Sequence, residues 1–183
     1  FGFFSKGALA DQVGIREAQP YQPTDAELAQ GISFEVPTTG PYPDDRWRMV
    51  QTIAALVPDG GPQGLGFIRG TIPVDPSAWF FQAHFYQDPV WPGSLGLESF
   101  LQILQAFCRQ RWPGGSAPRA AVWPQPAHTW VYRGQVIPKD RLVTVEAVIT
   151  AIDDDTRTVT ANGFLSVDGR IIYQMNDFRY SLA

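Results

Sequence analysis

The chain has 183 residues, of which 44% are hydrophobic and 13% aromatic, enough for one domain with a core of its own. This composition excludes an intrinsically disordered chain. The net charge of -4 and the lack of any basic run are atypical of proteins that bind nucleic acid. No apolar run approaches the length of a membrane span, so neither nucleic acid nor a membrane is an expected partner.

The single cysteine, Cys108, excludes an internal disulfide and is typical of a reducing, cytoplasmic compartment. The N-terminus lacks the basic region and cleavage site of a signal peptide. Because the chain begins at Phe1 rather than at methionine, we expect a trimmed protein or a segment of a longer polypeptide. With two histidines and one cysteine, no metal site is expected.

Residues 1–43 are predicted to be a lead-in segment, because prolines and glycines divide them into short pieces. One short helix is predicted there, since Thr24 and Glu27 have the spacing of a capping box and Gly31 is placed to end the helix. Residues 44–183 are predicted to form the domain itself.

A long helix is predicted over residues 95–111, which contain no proline and are apolar around most of the helical circumference. We expect this helix to be buried at the centre of the domain. Its few polar residues are spaced so that they lie on one stripe: Glu98, Gln102, Gln105 and Arg109. A carboxylate in the first turn of a buried helix is costly unless it is paired or used, so Glu98 is a candidate functional residue.

Six strands are predicted from apolar patterns that turn signals separate: residues 49–57, 63–72, 128–136, 142–152, 158–167 and 170–180. Asp168 and Gly169 predict a tight hairpin between the last two strands. One buried helix with about six mostly antiparallel strands indicates the α+β class, with a curled sheet wrapped round one long central helix.

Several short motifs follow one another in a recognisable order: Trp79-Phe80-Phe81, His84-Phe85, Asp88-Pro89-Val90, Pro92-Gly93, Leu95-Gly96-Leu97, Gly134-Gln135-Val136-Ile137-Pro138 and Val167-Asp168-Gly169-Arg170-Ile171-Ile172-Tyr173. Together they resemble the bacterial β-hydroxyacyl-ACP dehydratases of the FabA type, which have the hotdog fold. The resemblance covers residues 44–182. The site region is also similar to the dehydratase domains of polyunsaturated fatty acid and polyketide synthases.

The resemblance assigns roles to five residues. It implies that His84 is the catalytic base and that Glu98 is the catalytic acid. The N–H of Gly93 would hold the thioester oxygen, the carbonyl of Val90 would orient the histidine, and Gln102 would hold the acid.

These residue types suit the elimination of water from a β-hydroxyacyl thioester. The reaction requires a base for the α-proton, an acid for the departing hydroxyl and a donor for the thioester oxygen. Histidine, with an ordinary pKa of ~6.5, can act as the base at neutral pH. A carboxyl group in an apolar tunnel can stay protonated, and the N–H groups at the start of a helix supply donors.

Two positions depart from the FabA pattern. Glu98 stands where FabA-type enzymes usually have aspartate, although the related FabZ-type dehydratases use glutamate. Dehydration is therefore expected, whereas the double-bond isomerisation that some FabA-type enzymes add is left open. Ser94 replaces the usual cysteine, which is harmless if only its backbone matters.

The resemblance implies a substrate carried on the phosphopantetheine arm of an acyl carrier protein, so no separate cofactor is expected. It also implies a homodimer, or pairing with a linked second hotdog, in which each site takes its histidine from one hotdog and its acid from the other. An acyl thioesterase, an enoyl hydratase and a catalytically silent scaffold or carrier-docking module remain alternatives. The acyl chain length is left open.

The structural interpretations of the same residues are simpler. His84 would be a hydrogen-bonded core residue, and Glu98 an acid placed favourably near a helix N-terminus. Cys108, with no base in register, would pack as a small buried hydrophobic residue.

Overall fold

The computed structural model describes residues 13–114 and 127–182. Three helices and seven strands lie within them, in the order α1 (Asp25–Gln30), β1 (Ile32–Glu35), β2 (Thr52–Val57), β3 (Phe67–Pro73), α2 (Trp79–Ala83), α3 (Gly93–Arg111), β4 (Thr129–Tyr132), β5 (Leu142–Asp153), β6 (Thr158–Val167) and β7 (Arg170–Ser181).

The seven strands form one antiparallel sheet in the order β1-β2-β3-β5-β6-β7-β4. Buried and half-buried residues alternate along β5 and β6, so one face of the sheet is covered and the other is more accessible. The covered face packs on α3, which contacts β3, β5, β6 and β7. This is the hotdog architecture of the α+β class, and the predicted fold class is confirmed.

Helix α3 is buried because its sequence is apolar on most sides. Its fully buried side chains include Phe100, Ile103, Leu104 and Cys108. Burial raises the pKa of the Cys108 thiol to about 12, which removes the thiolate needed for nucleophilic chemistry. The interpretation of Cys108 as a packed hydrophobic residue is confirmed.

The helix begins two residues earlier than predicted, at Gly93 instead of residue 95. Glu98 consequently lies in the second turn and not in the first, so the expected position of this acid was wrong. Proline at the N-cap, Pro92, fixes where the helix starts.

The capping box at the start of α1 is confirmed. Thr24 Oγ1 accepts a hydrogen bond of 3.2 Å from the N–H of Glu27, and the Thr24 N–H donates to the Glu27 carboxylate at 2.7 Å. The hydrogen bond from the Tyr21 hydroxyl, followed by those from the Thr24 N–H and hydroxyl, lowers the pKa of Glu27 to about 2.

The described residues contain one strand more than the six predicted. Strand β1 lies within the predicted lead-in and pairs with β2 in the sheet. The chain before β1 also rests on the sheet, since the Ile15 N–H donates to the Ile171 carbonyl at 2.9 Å and the Tyr21 ring packs on Phe67. The division of the chain at residue 43 stays a prediction, but residues before it contribute to the fold.

None of the helices within the described parts of the chain combines the length and the hydropathy needed to cross a bilayer.

Gly163 tests the packing of the sheet on α3. A Cβ atom at this position would clash with the Glu146 carbonyl oxygen and with the Phe100 ring. We expect Gly163→Ala to lower the free energy of unfolding by about 1–3 kcal/mol, as overpacking does, in urea denaturation. Ser166→Ala, on the other face of β6, should change it by less than about 0.5 kcal/mol. Equal losses in the two variants would contradict this packing.

Candidate active site

His84 is held by the chain on both sides of it. It lies directly after α2, where its N–H donates to the Phe80 carbonyl at 3.0 Å and its carbonyl accepts from the Val90 N–H at 2.9 Å. The Nδ1 atom lies 3.1 Å from the Val90 carbonyl oxygen. Because a carbonyl only accepts, Nδ1 donates, and Nε2 of the neutral ring is left as an acceptor.

The imidazole lies at the edge of the protein and not in its core. His84 is half-buried, and its ring stacks on that of Phe85 at a centroid distance of 3.9 Å. Phe85 is 55% exposed and the neighbouring Tyr86 is 90% exposed. His84 is therefore hydrogen-bonded, as the simpler interpretation has it, but it does not belong to the core of the described chain.

Gly93 is the first residue of α3, so its N–H lies at the positive end of the helix and has no partner within it. A Cβ atom at this position would lie 3.3 Å from the Trp130 ring and 3.7 Å from the Tyr173 hydroxyl. Because glycine has no Cβ atom, this N–H has more room to donate to a ligand beside the aromatic wall formed by Trp130 and Tyr173. The segment before Gly93 is anchored two residues earlier, where the Trp91 N–H donates to the Val136 carbonyl at 2.9 Å.

The aromatic wall beside Gly93 is formed by rings that pack on one another. Tyr173 is buried, and its ring lies edge-on to Trp130 and Tyr132 at centroid distances of 5.5 and 4.9 Å. Burial, followed by the charge and the hydroxyl of Tyr132, raises the pKa of Tyr173. The phenol stays neutral at physiological pH.

Glu98 is oriented by a buried amide. Gln102 Nε2 donates to the Glu98 carboxylate at 2.8 Å and to the Trp47 carbonyl at 2.7 Å. Its Oε1 accepts from the N–H groups of Met49 and Val50 at 2.9 and 3.1 Å. Since two backbone donors fix the oxygen end, the amide presents its N–H side to Glu98.

Glu98 opens into a groove between α3, the segment before β2 and the end of β7. The groove has a volume of about 240 Å³ and is lined by Pro41, Tyr42, Pro43, Glu98, Leu101, Gln102, Gln105 and Tyr180. This lining includes neither His84 nor Gly93. The structure thus places His84 beside Val90, and Glu98 beside Gln102.

Some residues of this arrangement were not found in the sequence. The polar stripe of α3 indicated that Gln102 and Gln105 have partners, but it could not identify backbone groups 52 to 64 residues away. Tyr180 lies in a strand whose alternation indicates burial, which gave no sign that its hydroxyl faces the groove beside Glu98.

Comparison with known proteins shows that the chain matches one family model and is similar to a longer protein. A family model described as the FabA-like domain matches residues 42–176. The whole chain is 39% identical, over an alignment of 209 residues, to one of the subunits of a polyunsaturated fatty acid synthase from Thraustochytrium sp.. The chain spans 14% of the length of that relative.

Two solved structures are similar at low identity. The dehydratase heterocomplex ApeI:P from Xenorhabdus doucetiae matches over 76% of this chain and 84% of its own, with 12% identity and a TM-score of 0.45. A hypothetical thioesterase with coenzyme A from Streptococcus pneumoniae matches over 63% of this chain and 76% of its own, with 13% identity and a TM-score of 0.45.

The two glutamines of the stripe make a matched pair of variants. Gln102→Leu leaves the buried N–H groups of Met49 and Val50 without their acceptor, and we expect it to lower the free energy of unfolding by roughly 2–5 kcal/mol. Gln105→Leu removes one bond to the exposed Pro41 carbonyl, which water can replace, and should cost less than about 1 kcal/mol. Equal costs in chemical denaturation would show that the Gln102 amide does not fix this segment.

Proposed function

The chain belongs to the family of FabA-like domains, and from this membership we propose that it removes water from 3-hydroxyacyl thioesters to give trans-2-enoyl thioesters. The hydrogen bond from Gln102 to Glu98 is the observation that carries the proposal. It holds a carboxyl group at the edge of a groove in the orientation that an acid requires.

The acid is assigned to Glu98 on the geometry of this bond. Gln102 donates to Oε1 of Glu98, so a proton on the carboxyl group belongs on Oε2. That oxygen can then donate to the hydroxyl on C3 of the substrate.

The base is assigned to His84. With Nδ1 donating to the Val90 carbonyl, Nε2 can take the proton from C2 of the substrate. The N–H of Gly93 at the start of α3 stabilises the negative charge that develops on the thioester oxygen. The C3–O bond then breaks, the hydroxyl leaves as water with the proton of Glu98, and a C2–C3 double bond forms. Return of the His84 proton to Glu98 through solvent restores both groups.

The proposed site is shared between two hotdogs, because the groove beside Glu98 does not contain His84 of the same chain. Strand β4 lies at one end of the sheet, and its Trp130 and Tyr132 are 37% and 38% exposed. No strand among the described residues pairs with the outer edge of β4, and such an edge with exposed aromatic residues favours pairing with another copy or with a linked second hotdog. We propose that this pairing brings one chain's His84 to the other chain's Glu98.

The proposed substrate is carried on the phosphopantetheine arm of an acyl carrier protein, and no cofactor is consumed. Support comes from the relative, whose name makes it part of a polyunsaturated fatty acid synthase. A cytoplasmic location, inferred from the single cysteine, stays a prediction.

Mass spectrometry of the thioester products tests this function. Incubated with 3-hydroxyacyl-pantetheine thioesters of several chain lengths, the chain should yield trans-2-enoyl thioesters. Glu98→Gln and His84→Ala should each lower this rate by at least ~100-fold, as the loss of general acid or base catalysis does, with little change in Tm.

His128→Ala is the matched control. His128 is exposed and packs only on the Phe178 ring among the described residues, so its removal should leave the rate unchanged. If free 3-hydroxy acid is the main product, the chain is a thioesterase and the proposed dehydratase activity is wrong. Absence of any conversion would favour a catalytically silent module.

A further inference from the structure

The groove beside Glu98 ends at two phenol side chains. Tyr42 and Tyr180 line it together with Gln105, on the side of α3 away from its N-terminus. Within residues 13–114 and 127–182, neither hydroxyl has a hydrogen-bond partner. Tyr180 is only 2% exposed.

The ring of Tyr180 is buried, but its hydroxyl is not one of the fully enclosed side-chain atoms without a hydrogen bond in the described chain. The hydroxyl therefore reaches the groove that the residue lines, where a polar atom usually has a partner. Burial also raises the pKa of Tyr180, so its hydroxyl keeps its proton throughout the physiological range. Tyr180 therefore presents an unused hydrogen-bond donor to the groove.

The other polar groups near the groove are already engaged. Gln102 holds Glu98 and the backbone before β2, and Gln105 donates to the Pro41 carbonyl at 2.9 Å. The two phenols are thus the donors left for a ligand at this end of the groove.

A positive charge lies behind the phenols. The guanidinium carbon of Arg109 is 5.7 Å from the centroid of the Tyr42 ring. Its Nε and Nη2 atoms are buried and have no hydrogen-bond partner among the described residues. A cation next to unpaired donors makes this end of the groove favourable for oxygen atoms with negative partial charge.

The walls between Glu98 and the phenols are apolar and narrow. Pro41, Pro43 and Leu101 line this part of the groove, which suits a chain of methylene groups. Glu98 and Gln105 are seven residues apart on one helix, so the donor end lies roughly 10 Å along α3 from the acid.

We propose that Tyr180, assisted by Tyr42, is a specificity-determining residue that binds a carbonyl or hydroxyl oxygen carried by the substrate roughly 10 Å from the reacting carbon. The inference rests on the proposed function, since it takes Glu98 as the group that meets C3. Two parts of the substrate can supply such an oxygen: the amide carbonyls of the pantetheine arm, or an oxygen function on the acyl tail.

The test is Tyr180→Phe, which removes the hydroxyl and keeps the ring that packs at the end of β7. Four 3-hydroxyacyl thioesters are compared, combining a full pantetheine arm or a butanethiol arm that has no amide with a plain or a keto-bearing acyl tail. We expect the variant to lower kcat/KM roughly three- to tenfold for thioesters that carry the recognised oxygen, mainly through KM. For thioesters that lack this oxygen, kcat/KM should fall by a smaller factor.

The pattern of loss identifies the source of the oxygen. A loss confined to full pantetheine thioesters assigns the oxygen to the arm, and a loss confined to keto-bearing tails assigns it to the tail. Equal change for all four thioesters, or none, would overturn the proposal. Tyr21→Phe is the control. The Tyr21 hydroxyl bonds to Glu27 outside the groove, so its removal should leave kcat/KM for each of the four thioesters unchanged.

Two further measurements are needed. The first distinguishes ligand binding by Tyr180 from a structural role, and the second tests this binding independently of the proposed dehydration. Removing a hydroxyl that bonds no other group of the described chain should not lower Tm, whereas a clear fall would indicate a structural hydrogen bond and contradict the proposal. Calorimetric titration with the corresponding trans-2-enoyl thioesters measures the same preference without turnover. The subsite is therefore tested even if the chain dehydrates none of the substrates.

Discussion

The buried amide of Gln102 is the interaction on which the acid side of the site depends. It joins the central helix to the segment before β2 through two backbone N–H groups and one carbonyl. Those bonds leave it one orientation, and in that orientation it donates to Glu98. A long, flexible carboxylate on a helix surface would otherwise adopt several rotamers. Here the fold selects one, and the same bonds form the wall of the groove that Glu98 faces.

The base side is built by different means. A short helix, α2, ends at His84, and the chain turns so that the Val90 carbonyl meets Nδ1. Three residues after Val90 the central helix begins, with the N–H of Gly93 at its positive end. Helix α3 therefore contributes to both parts of the site. Its N-terminal end lies close in sequence to His84 and can stabilise an anion, and its second turn carries the acid Glu98. Because the lining of the groove includes Glu98 but not His84 of the same chain, the chemistry that we propose depends on pairing two copies or two linked hotdogs.

Much of the fold follows from local sequence patterns. Helix α3 and strands β5, β6 and β7 are long, so their periodicity is unambiguous, and each begins within two residues of the predicted position. Strand β1 and helix α2 have four and five residues, too few for either period to stand out. The error at Glu98 had a similar origin, since the sequence favoured residue 95 over Gly93 as the start of the helix.

The contacts of the candidate site were predictable from the sequence where the two partners lie close together along the chain. The Val90 partner of His84 and the Gln102 partner of Glu98 are within six residues of them, where a motif or a helical turn constrains the geometry. The backbone partners of Gln102 and the phenol of Tyr180 are brought in by the tertiary fold. No local pattern encodes those contacts, and they are the ones that shape the groove.

Mixing two inactive variants tests most directly whether His84 and Glu98 of different chains form one site. His84→Ala and Glu98→Gln chains, unfolded together and refolded, give mixed dimers in which one site holds both changes and the other holds neither. We predict that the mixture recovers dehydration, up to roughly half the rate of a wild-type dimer for each mixed dimer, because symmetric pairing creates two equivalent sites. No recovery, with mixed dimers demonstrated by mass spectrometry, would show that one chain's His84 and Glu98 serve the same site.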